Sequence, residues 1–295
     1  MGERGDRQSA PENDAPLDVA VVILTQDEEK NVERAVRSVA GRAREVFVLD
    51  SGSTDRTIDL ARAAGAMVHE NPWPGFAAQR NWALDHLPIS AGWVFFLDAD
   101  EFVDGPFLDE LAQAIARAGE HVAGFAIRRW LAWGNARVAF GGMQDNRILR
   151  IVKRGRGRCD ERVVNEHLVV DGEEVDLETL VGHRNESGLG RWVKKHRAYA
   201  PVEAQALWDE LWSPTPPAGA LARARLDKRR LYAALPPFWR SLARFSYVMT
   251  FQQGYKDGFG GGAYHLLHDL AYNVLVDVHF CAVGARRLAG RPRDG

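Results

Sequence analysis

The sequence predicts an α/β fold in which helices flank a mostly parallel sheet, followed by a helical C-terminal appendage. Short apolar runs alternate with amphipathic helical patterns through the first half of the chain, and the pattern changes beyond Gly188 to helices rich in Arg, Lys and Trp. We therefore divide the 295 residues into a disordered leader, 1–16, an α/β domain, 17–212, a linker, 213–220, and a helical appendage, 221–295.

The first elements alternate as strand and helix. Residues 19–24 form a β-branched run typical of a buried strand, and residues 28–40 carry one apolar stripe at helical spacing. Residues 45–49 repeat the strand signal. Asp55 can cap a helix that ends at Gly65, since glycine is favoured just beyond a helix terminus.

The same signals predict the later elements of the α/β domain. They are a strand at 66–69, a helix at 76–87, a strand at 93–97, a helix opened by Pro106, and strands at 124–130 and 147–152. Alternation of this kind implies parallel strands joined by helices that cover both faces of the sheet.

Charge and cysteine content exclude some classes of protein. A net charge of -2 and a pI near 6.5 give no global attraction to a polyanion, so we expect no nucleic-acid partner. Cys159 and Cys281 are too far apart to indicate a disulfide framework or a metal cluster, which favours a reducing compartment.

The apolar runs are short for a membrane span. The leader lacks the apolar core of a signal peptide. The best candidate for a span, 271–285, is shorter than the roughly 18 residues required and contains Asp277. We expect a chain that does not cross a bilayer.

Acidic residues follow three of the predicted strands, at 25–29, 50–55 and 98–101. Ligands bind at the carboxyl ends of parallel strands, so these groups are expected to converge there. Crowded carboxylates need a cation between them, and hard oxygen ligands suit Mg²⁺ or Mn²⁺. The simpler alternatives are solvated loop acids for Asp98 and Asp100, and helix capping for much of 50–55.

Phosphate binding needs other groups, because the sequence has no glycine-rich phosphate loop of either common type. Arg80 could clamp a diphosphate through its planar guanidinium, or it could be an ordinary surface arginine of a helix. Asp50 could accept a hydrogen bond from a nucleobase, since the cap that follows it does not need it.

Segments 25–29, 50–57, 73–81 and 98–101 resemble glycosyltransferase family 2, whose members have the GT-A fold, in order and spacing over residues 18–104. The resemblance implies an inverting transfer from a nucleoside diphosphate sugar, with a UDP-sugar as the expected donor. The residues it implies are Thr25, Glu28 and Asp50 around base and ribose, Arg80 near base or diphosphate, Asp98 at the ribose, and Asp100 on a Mg²⁺ or Mn²⁺ ion.

Further downstream the chain is similar to the branch that contains lipopolysaccharide core glucosyltransferases. The similar segments are 145–150, 165–167, His183 and 254–258. Gln26 departs from the aromatic residue or lysine of many relatives, which puts stacking on the base in doubt. Asn165 stands where close relatives often have histidine.

Inversion requires a carboxylate that deprotonates the acceptor hydroxyl. Asp145 is favoured over Glu166 as this base, although a turn-capping Asp and an ion-paired Glu are the structural alternatives. His183 is expected to be a metal ligand or a diphosphate donor, with a structural histidine as the alternative.

The C-terminal appendage carries a basic, aromatic, amphipathic stretch at 221–244, then apolar segments at 242–251 and 264–280 around a glycine-rich bend. Such a stretch can lie in the headgroups of an anionic membrane, or its apolar face can pack on the catalytic domain. We expect a cytoplasmic protein that is peripheral on the inner face of the cytoplasmic membrane, a lipid-linked or cell-envelope glycan acceptor, and possible homo-oligomers.

Two other functions compete. A nucleotidyltransferase of sugar-nucleotide synthesis would need a glycine- and arginine-rich first loop with a lysine, and residues 25–29 are acidic instead. A non-catalytic membrane-associated scaffold with the same fold would be indicated by a missing base or metal ligand, and the sequence lacks neither.

Overall fold

The computed structural model describes residues 16–143, 147–160, 168–184, 186, 188–212 and 230–289. Contacts within the chain group it into two units. The first unit contains the chain up to residue 127 together with 148–181, and the second contains 128–147 and the chain from residue 182 onward. The predicted leader, apart from residue 16, and the predicted linker lie outside the described residues.

The strands follow the predicted order. They are β1 (Leu17–Thr25), β2 (Ala43–Asp50), β3 (Met67–Glu70), β4 (Trp93–Asp98), β5 (Glu101–Phe102), β6 (Val122–Trp133), β7 (Ala136–Val138), β8 (Ile148–Lys153), β9 (Gly157–Cys159), β10 (Leu168–Val170) and β11 (Glu173–His183). The helices of the first unit are α1 (Val32–Val39), α2 (Thr57–Ala63), α3 (Phe76–His86) and α4 (Gly105–Arg117).

The main sheet has the strand order β3-β2-β1-β4-β8-β6-β11-β5, with β7 paired to β6. The first four strands of this order are parallel, and β8 runs antiparallel to β4 and β6. The chain adds β2 and β3 on one side of β1 and then returns to place β4 on the other side. The carboxyl ends of β1 and β4 therefore meet at a topological switch point, where open α/β sheets bind ligands.

The apolar strands are continuous runs because both faces of the sheet are covered. Alternate residues of β1 point to opposite sides. Val19, Val21 and Ile23 belong to one buried cluster, and Ala20 and Val22 belong to the other. This packing confirms the predicted sheet with helices on both faces.

Helix α1 begins four residues later than predicted. The backbone N–H of Glu28 donates to the Thr57 hydroxyl (2.7 Å), and that of Glu29 donates to Asp55 (3.2 Å). Asp27 precedes them in the left-handed region, with φ +53°. Long-range hydrogen bonds thus hold these residues outside the helix, although the apolar stripe from Val32 to Val39 is buried as expected.

The second unit contains the helices α5 (Gly188–Trp212), α6 (Trp239–Thr250), α7 (Gly258–His265) and α8 (Asn273–Ala289). Ala200, Ala204 and Leu207 of α5 pack with Val276 and Phe280 of α8. Arg240 and Asp277 form a buried ion pair within this core. A buried pair needs both partners, since removal of one leaves an uncompensated charge.

The predicted glycine-rich bend is observed between α6 and α7, where Gln253 (φ +60°) and Gly258 (φ +68°) have positive φ. A 3₁₀ turn precedes α7, and a π-helical stretch, Leu266–Tyr272, joins α7 to α8, so that residues 254–287 form one helical run. The segment is long and apolar enough to cross a bilayer by length and composition, with a mean hydropathy of 1.3 in its best window. The candidate taken from the sequence, 271–285, is only the second half of this helical segment, which is why it was too short for a span. Core helices of soluble proteins can meet the same criterion.

Candidate active site

The predicted site residues of the first unit lie at the carboxyl edge of the parallel strands. Thr25 is level with Asp50 in the register of β1 and β2, and Leu24 is level with Asp98 in the register of β1 and β4. The three strands thus end together at the switch point, and the predicted convergence of their acidic ends is confirmed.

Asp50 is fully buried and holds the turn that follows β2. One carboxylate oxygen accepts from the backbone N–H groups of Gly52 (2.9 Å) and Ser53 (2.7 Å). The other oxygen accepts from the hydroxyls of Thr25 (2.7 Å) and Ser53 (2.5 Å). A carboxylate has about four acceptor positions. A nucleobase would therefore have to replace one of these bonds, and the contact of Asp50 with a base stays a prediction.

The loop after β1 is joined to the loop after β2. Asp27 accepts from the backbone N–H of Thr54 (2.8 Å), and its own N–H donates to the Ser53 hydroxyl (2.8 Å). Glu28 accepts from the Asn31 amide (2.7 Å). These bonds hold Thr25, Glu28 and Asp50 as one preformed wall of the site, which is what a nucleotide-binding role requires.

Asp55 has the capping role that the sequence predicted. It accepts from the backbone N–H of Thr57 (2.9 Å) at the start of α2. Burial raises the pKa of the Asp55 carboxyl, but the hydrogen bonds from Thr57 and Glu29 outweigh burial and leave that pKa below its ordinary value.

The carboxylate of Asp98 is contacted by two arginines, Arg150 and Arg80. Arg150 of β8 donates from Nη1 to Oδ1 of Asp98 (3.0 Å) and from Nη2 to Oδ2, a bidentate contact. Arg80 of α3 approaches Oδ1 of Asp98 at 3.5 Å. Arg80 is buried, so the alternative of an ordinary surface arginine is wrong. The Asp98 side chain keeps 31% of its surface exposed, which leaves it accessible to a ligand.

The arginines change the electrostatic argument made from the sequence. Burial favours the neutral form of Arg150 and lowers its pKa, but the carboxylates of Asp98, Glu101 and Asp100 outweigh burial and raise that pKa above its ordinary value. The clustered acids are thus compensated by groups of the chain itself. Their proximity alone does not require a metal ion.

Asp100 follows β4 in a turn. Ala99 and Asp100 form this turn between β4 and β5, and the backbone N–H of Asp98 donates to Oε2 of Glu101 (3.0 Å) across it. The Glu101 carboxylate thus stabilises the turn that carries Asp100. Asp100 remains half-buried at the edge of the cluster.

The donor set fits a small hard cation that arrives with phosphates. Mg²⁺ is usually held by one or two carboxylates and the oxygens of a substrate, not by a cage of protein ligands. In the part of the chain that the structure describes, no three His, Cys, Asp or Glu side chains group into a metal site. Asp98 and Asp100 would supply the one or two carboxylates. In the same part of the chain, Nε of Arg80 and Nε of Arg150 are buried without an acceptor and could serve an anion.

The predicted roles of three further residues are untested. Asp145 and Glu166 lie outside the described residues, so their role as catalytic base stays a prediction. His183 ends β11 and belongs to the second unit. Its role as a metal ligand is also untested.

Three functional side chains had no predicted role. Arg150 stands between the apolar residues Ile148, Leu149, Ile151 and Val152 of β8, where a charge must be paired, and that signal could have identified it. Glu101 is completely buried beside it. Gln79 donates to the Ser51 hydroxyl (3.1 Å) and accepts from Asn71 (2.7 Å), so it joins α3 to the loops that follow β2 and β3.

Comparison with known proteins identifies the family of the chain. Residues 20–136 match the family model described as "Glycosyl transferase family 2". The chain is 32% identical over 195 residues to the lipopolysaccharide core biosynthesis glycosyltransferase LpsC of Rhizobium meliloti (strain 1021), covering 64% of this chain and 71% of LpsC. It is 36% identical to an uncharacterized glycosyltransferase of Rickettsia bellii (strain RML369-C) over 33% of each chain. Among solved structures, glucosyl-3-phosphoglycerate synthase from Mycobacterium tuberculosis aligns with a TM-score of 0.42 and 20% identity, over 64% of this chain and 77% of that one.

The switch-point fold, its acidic and arginine-lined edge and these relatives define the protein as a glycosyltransferase. The chain belongs to glycosyl transferase family 2. The predicted α/β fold, a mostly parallel sheet flanked by helices with a helical C-terminal region, is confirmed. The chain spans about a third of the Rickettsia relative.

Proposed function

We propose that the protein is an inverting glycosyltransferase that moves a sugar from a UDP-sugar to a hydroxyl of a lipid-linked or cell-envelope glycan, with Mg²⁺ or Mn²⁺. One observation carries the proposal: Asp98, Arg80 and Arg150 form a charged cluster at the switch point, beside the hydrogen-bonded pair of Thr25 and Asp50.

Each part of a nucleotide diphosphate has a matching group in this cluster. The wall formed by Thr25, Glu28 and Asp50 would face base and ribose, and Asp50 would exchange one of its four internal hydrogen bonds for one from a base N–H. Asp98 is oriented by Arg150 and accessible, so it can accept from a ribose hydroxyl without rearrangement. The buried Nε of Arg80 offers a donor to a diphosphate oxygen.

Asp100 would hold the divalent ion, with Asp98 next to it and His183 as a further candidate ligand. A bound Mg²⁺ or Mn²⁺ supplies neutralisation of the negative charge that develops on the leaving diphosphate. The chain's own part is to place the carboxylates and arginines in advance, because preorganised charge needs no rearrangement during the reaction.

An inverting reaction needs a carboxylate that deprotonates the acceptor hydroxyl. Asp145 is proposed as the base that takes the proton from the acceptor hydroxyl, with Glu166 as the second candidate. The similarity to LpsC supports a glycan of the cell envelope as acceptor.

A thermal-shift screen of nucleotide sugars with Mn²⁺ tests the proposed donor. A UDP-sugar at 100 times its Kd should stabilise the fold by about 2.7 kcal/mol. At roughly 2–4 °C per kcal/mol, the Tm should rise by about 5–10 °C. UDP with Mn²⁺ should give part of the shift, and ADP-sugars serve as the matched control.

Each alternative function has its own outcome in this screen. A shift with nucleoside triphosphates and sugar phosphates, but not with UDP-sugars, would favour a nucleotidyltransferase. No shift with any nucleotide, for a protein that unfolds cooperatively, would favour the scaffold and overturn the proposal.

We also propose that the second unit binds the inner face of the cytoplasmic membrane. We call residues 231–266 the aromatic segment. Its exposed apolar and aromatic side chains are Leu231, Leu235, Phe238, Trp239, Leu242, Tyr247, Phe251, Tyr255, Phe259 and Leu266. Phe251 and Phe259 are 78% and 96% exposed, and exposed apolar clusters of this kind mark interaction sites.

The charges of the aromatic segment favour an anionic surface as its partner. Asp257 is its only acidic residue, and that side chain is buried. Arg244 and Lys256 are exposed. Each basic group near an anionic membrane contributes about 1 kcal/mol, and aromatic rings favour the headgroup region.

A flotation assay with Phe251→Ser and Phe259→Ser combined tests this binding. Wild type should float with vesicles of phosphatidylcholine and phosphatidylglycerol, less so at high salt, and weakly with phosphatidylcholine alone. Each ring adds about 1.5–3 kcal/mol when buried, so the double variant should bind at least about tenfold more weakly. The matched control replaces the exposed Val202 and Trp212 of α5 by serine and should float like wild type.

Unchanged flotation of the Phe251 and Phe259 double variant would contradict the membrane proposal. Wild-type protein that resists extraction by alkaline carbonate would identify residues 254–287 as a span instead. A wild-type dimer that the double variant disrupts, without flotation, would show that the segment binds a second copy of the chain.

A further inference from the structure

Asp257 is a buried acid that the proposed reaction does not use. It lies in segment 254–258, the last of the segments shared with the lipopolysaccharide branch. Its Oδ1 accepts from the backbone N–H groups of Ala139 (2.8 Å) and Phe140 (3.1 Å), which directly follow β7. The side chain is only 1% exposed, so these are strong hydrogen bonds to a desolvated charge. Asp257 therefore anchors a backbone segment that is more than a hundred residues away in sequence.

His265 holds the Asp257 carboxylate from the other side. Its Nε2 lies 3.0 Å from Oδ2 of Asp257, and its Nδ1 lies 2.9 Å from Oδ2 of Asp269. A neutral imidazole has only one N–H group, so it cannot donate to both carboxylates. The geometry therefore requires the charged imidazolium. Burial lowers the pKa of His265, but the two carboxylates outweigh burial and raise that pKa above its ordinary value.

The remaining neighbours of His265 complete the charge balance. Arg244 donates to Oδ1 of Asp269 at 3.2 Å, and His268 approaches the same oxygen at 3.4 Å. These contacts keep the pKa of Asp269 far below its ordinary value, even though burial raises it. The ring of Tyr264 is 5.5 Å from that of His265, and burial raises the pKa of Tyr264, so this phenol stays neutral.

Glycines surround this cluster because nothing larger fits. A Cβ atom on Gly141 would lie 2.2 Å from Cε1 of His265, and φ of Gly141 is +68°. A Cβ atom on Gly261 would lie 2.1 Å from Cβ of Asp257. The backbone N–H of Gly141 also donates to the Gln252 carbonyl (2.9 Å). The backbone N–H groups of residues 139–141 thus all donate hydrogen bonds, two to the Asp257 carboxylate and one to the Gln252 carbonyl. Gly141 also contacts the imidazolium ring.

We infer that Asp257 and His265 are positioning residues that hold residues 139–142 in place for the reaction. This inference rests on the proposed function, in which Asp145 is the acceptor-side carboxylate. Asp145 follows Gly142 by only three residues in the sequence. A base must lie within hydrogen-bond reach of its proton, so a loosened anchor should slow the chemical step.

Hydrogen exchange of the full-length protein tests the anchor without any substrate. In Asp257→Ala and His265→Gln, exchange in a peptide that covers 139–142 should rise at least about tenfold, while the β1 and β4 peptides remain protected. Asp257→Asn keeps an acceptor oxygen and should restore part of the protection. His279→Gln, on α8 of the same helical segment, is the matched control and should exchange like wild type.

The pH dependence distinguishes His265 from a neutral packing residue. Its folded-state pKa is raised, so its contribution is complete below the unfolded value of about 6.5 and is lost as pH rises through the folded value. Exchange at 139–142, corrected for intrinsic rates, should therefore increase in wild type at alkaline pH. His265→Gln should show no such increase, because it has no proton to lose.

Kinetics test the positioning role. With UDP-glucose and Mn²⁺ as probe, or the nucleotide sugar selected by the thermal screen, Asp257→Ala and His265→Gln should lower kcat for donor hydrolysis about tenfold or more. The KM and the Tm shift with UDP should stay at wild-type values. A residue that is only structural would change KM, Tm and kcat together, or none of them.

The outcomes separate this inference from the proposed function. If wild type binds and hydrolyses no nucleotide sugar, the proposed function fails, and exchange still reports on the anchor. If wild type is active and both variants keep its exchange pattern, its kcat and its pH profile, the positioning role of Asp257 and His265 is overturned.

Discussion

Replacing Arg150 by methionine is expected to lower the free energy of unfolding by about 3–5 kcal/mol, the cost of removing one partner from a buried ion pair. Arg150 is the bidentate partner of Asp98, and its Nη2 lies 3.8 Å from Oε1 of Glu101, which is completely buried. Methionine fills most of the volume but removes the guanidinium that faces Glu101 and the bidentate partner of Asp98, for which Arg80 remains at 3.5 Å. At roughly 2–4 °C per kcal/mol, the Tm should fall by about 6–20 °C.

Two further variants identify the cause of this loss. Arg154→Met removes an exposed arginine just beyond the same strand and should change stability by no more than about 0.5 kcal/mol. Adding Glu101→Gln to Arg150→Met removes the charge that was left uncompensated, so the double variant should lose less than the sum of the two single losses. Arg150→Met that is as stable as Arg154→Met would show that the acids need no guanidinium, and the account of this cluster would be wrong.

Replacing Asp100 by asparagine is expected to reduce Mn²⁺-dependent turnover of the nucleotide sugar by roughly 10²–10³-fold, since loss of metal stabilisation at a leaving diphosphate costs several kcal/mol. Asparagine keeps the size of the side chain at the turn after β4 but removes its charge. The concentration of Mn²⁺ needed for half-maximal rate should rise as well. Steady-state rates over a Mn²⁺ titration measure both effects.

Asp109→Asn is the matched control, because Asp109 is an exposed carboxylate on α4 that pairs with Arg42 at the surface. Its turnover and its Mn²⁺ dependence should equal those of wild type. Unchanged metal dependence in Asp100→Asn, with circular dichroism like that of wild type, would remove Asp100 from the metal site. Asp98 would then be the carboxylate to test next.

Local patterns were sufficient for the parallel half of the fold. Strand β4 was predicted at 93–97 and is observed at Trp93–Asp98, and α3 was predicted at 76–87 and is observed at Phe76–His86. Apolar runs depend only on neighbouring residues, and β4 buries what its pattern implies, whereas α3 also buries the polar side chains of Gln79, Arg80 and Asn81. The position of Asp50 and Asp98 at strand ends was predictable for the same reason.

The partners of those acids were not predictable, because they come from distant parts of the chain. Arg150 is 52 residues from Asp98 and reaches it only because β8 pairs antiparallel with β4. The sequence showed uncompensated acids and favoured a metal as their cation, whereas the structure supplies two arginines. Glu101 likewise stabilises the turn after β4, a role that its position in the sequence did not reveal.

By itself, the sequence determined which residues form the buried strands and that acidic side chains follow them, since both depend on order along the chain. Only the tertiary structure decided which charges neutralise one another, where α1 begins, and that Asp257 and His265 anchor residues 139–142. The physical reason is that a buried charge is stable only beside its counter-charge, and the packing of distant segments selects that partner.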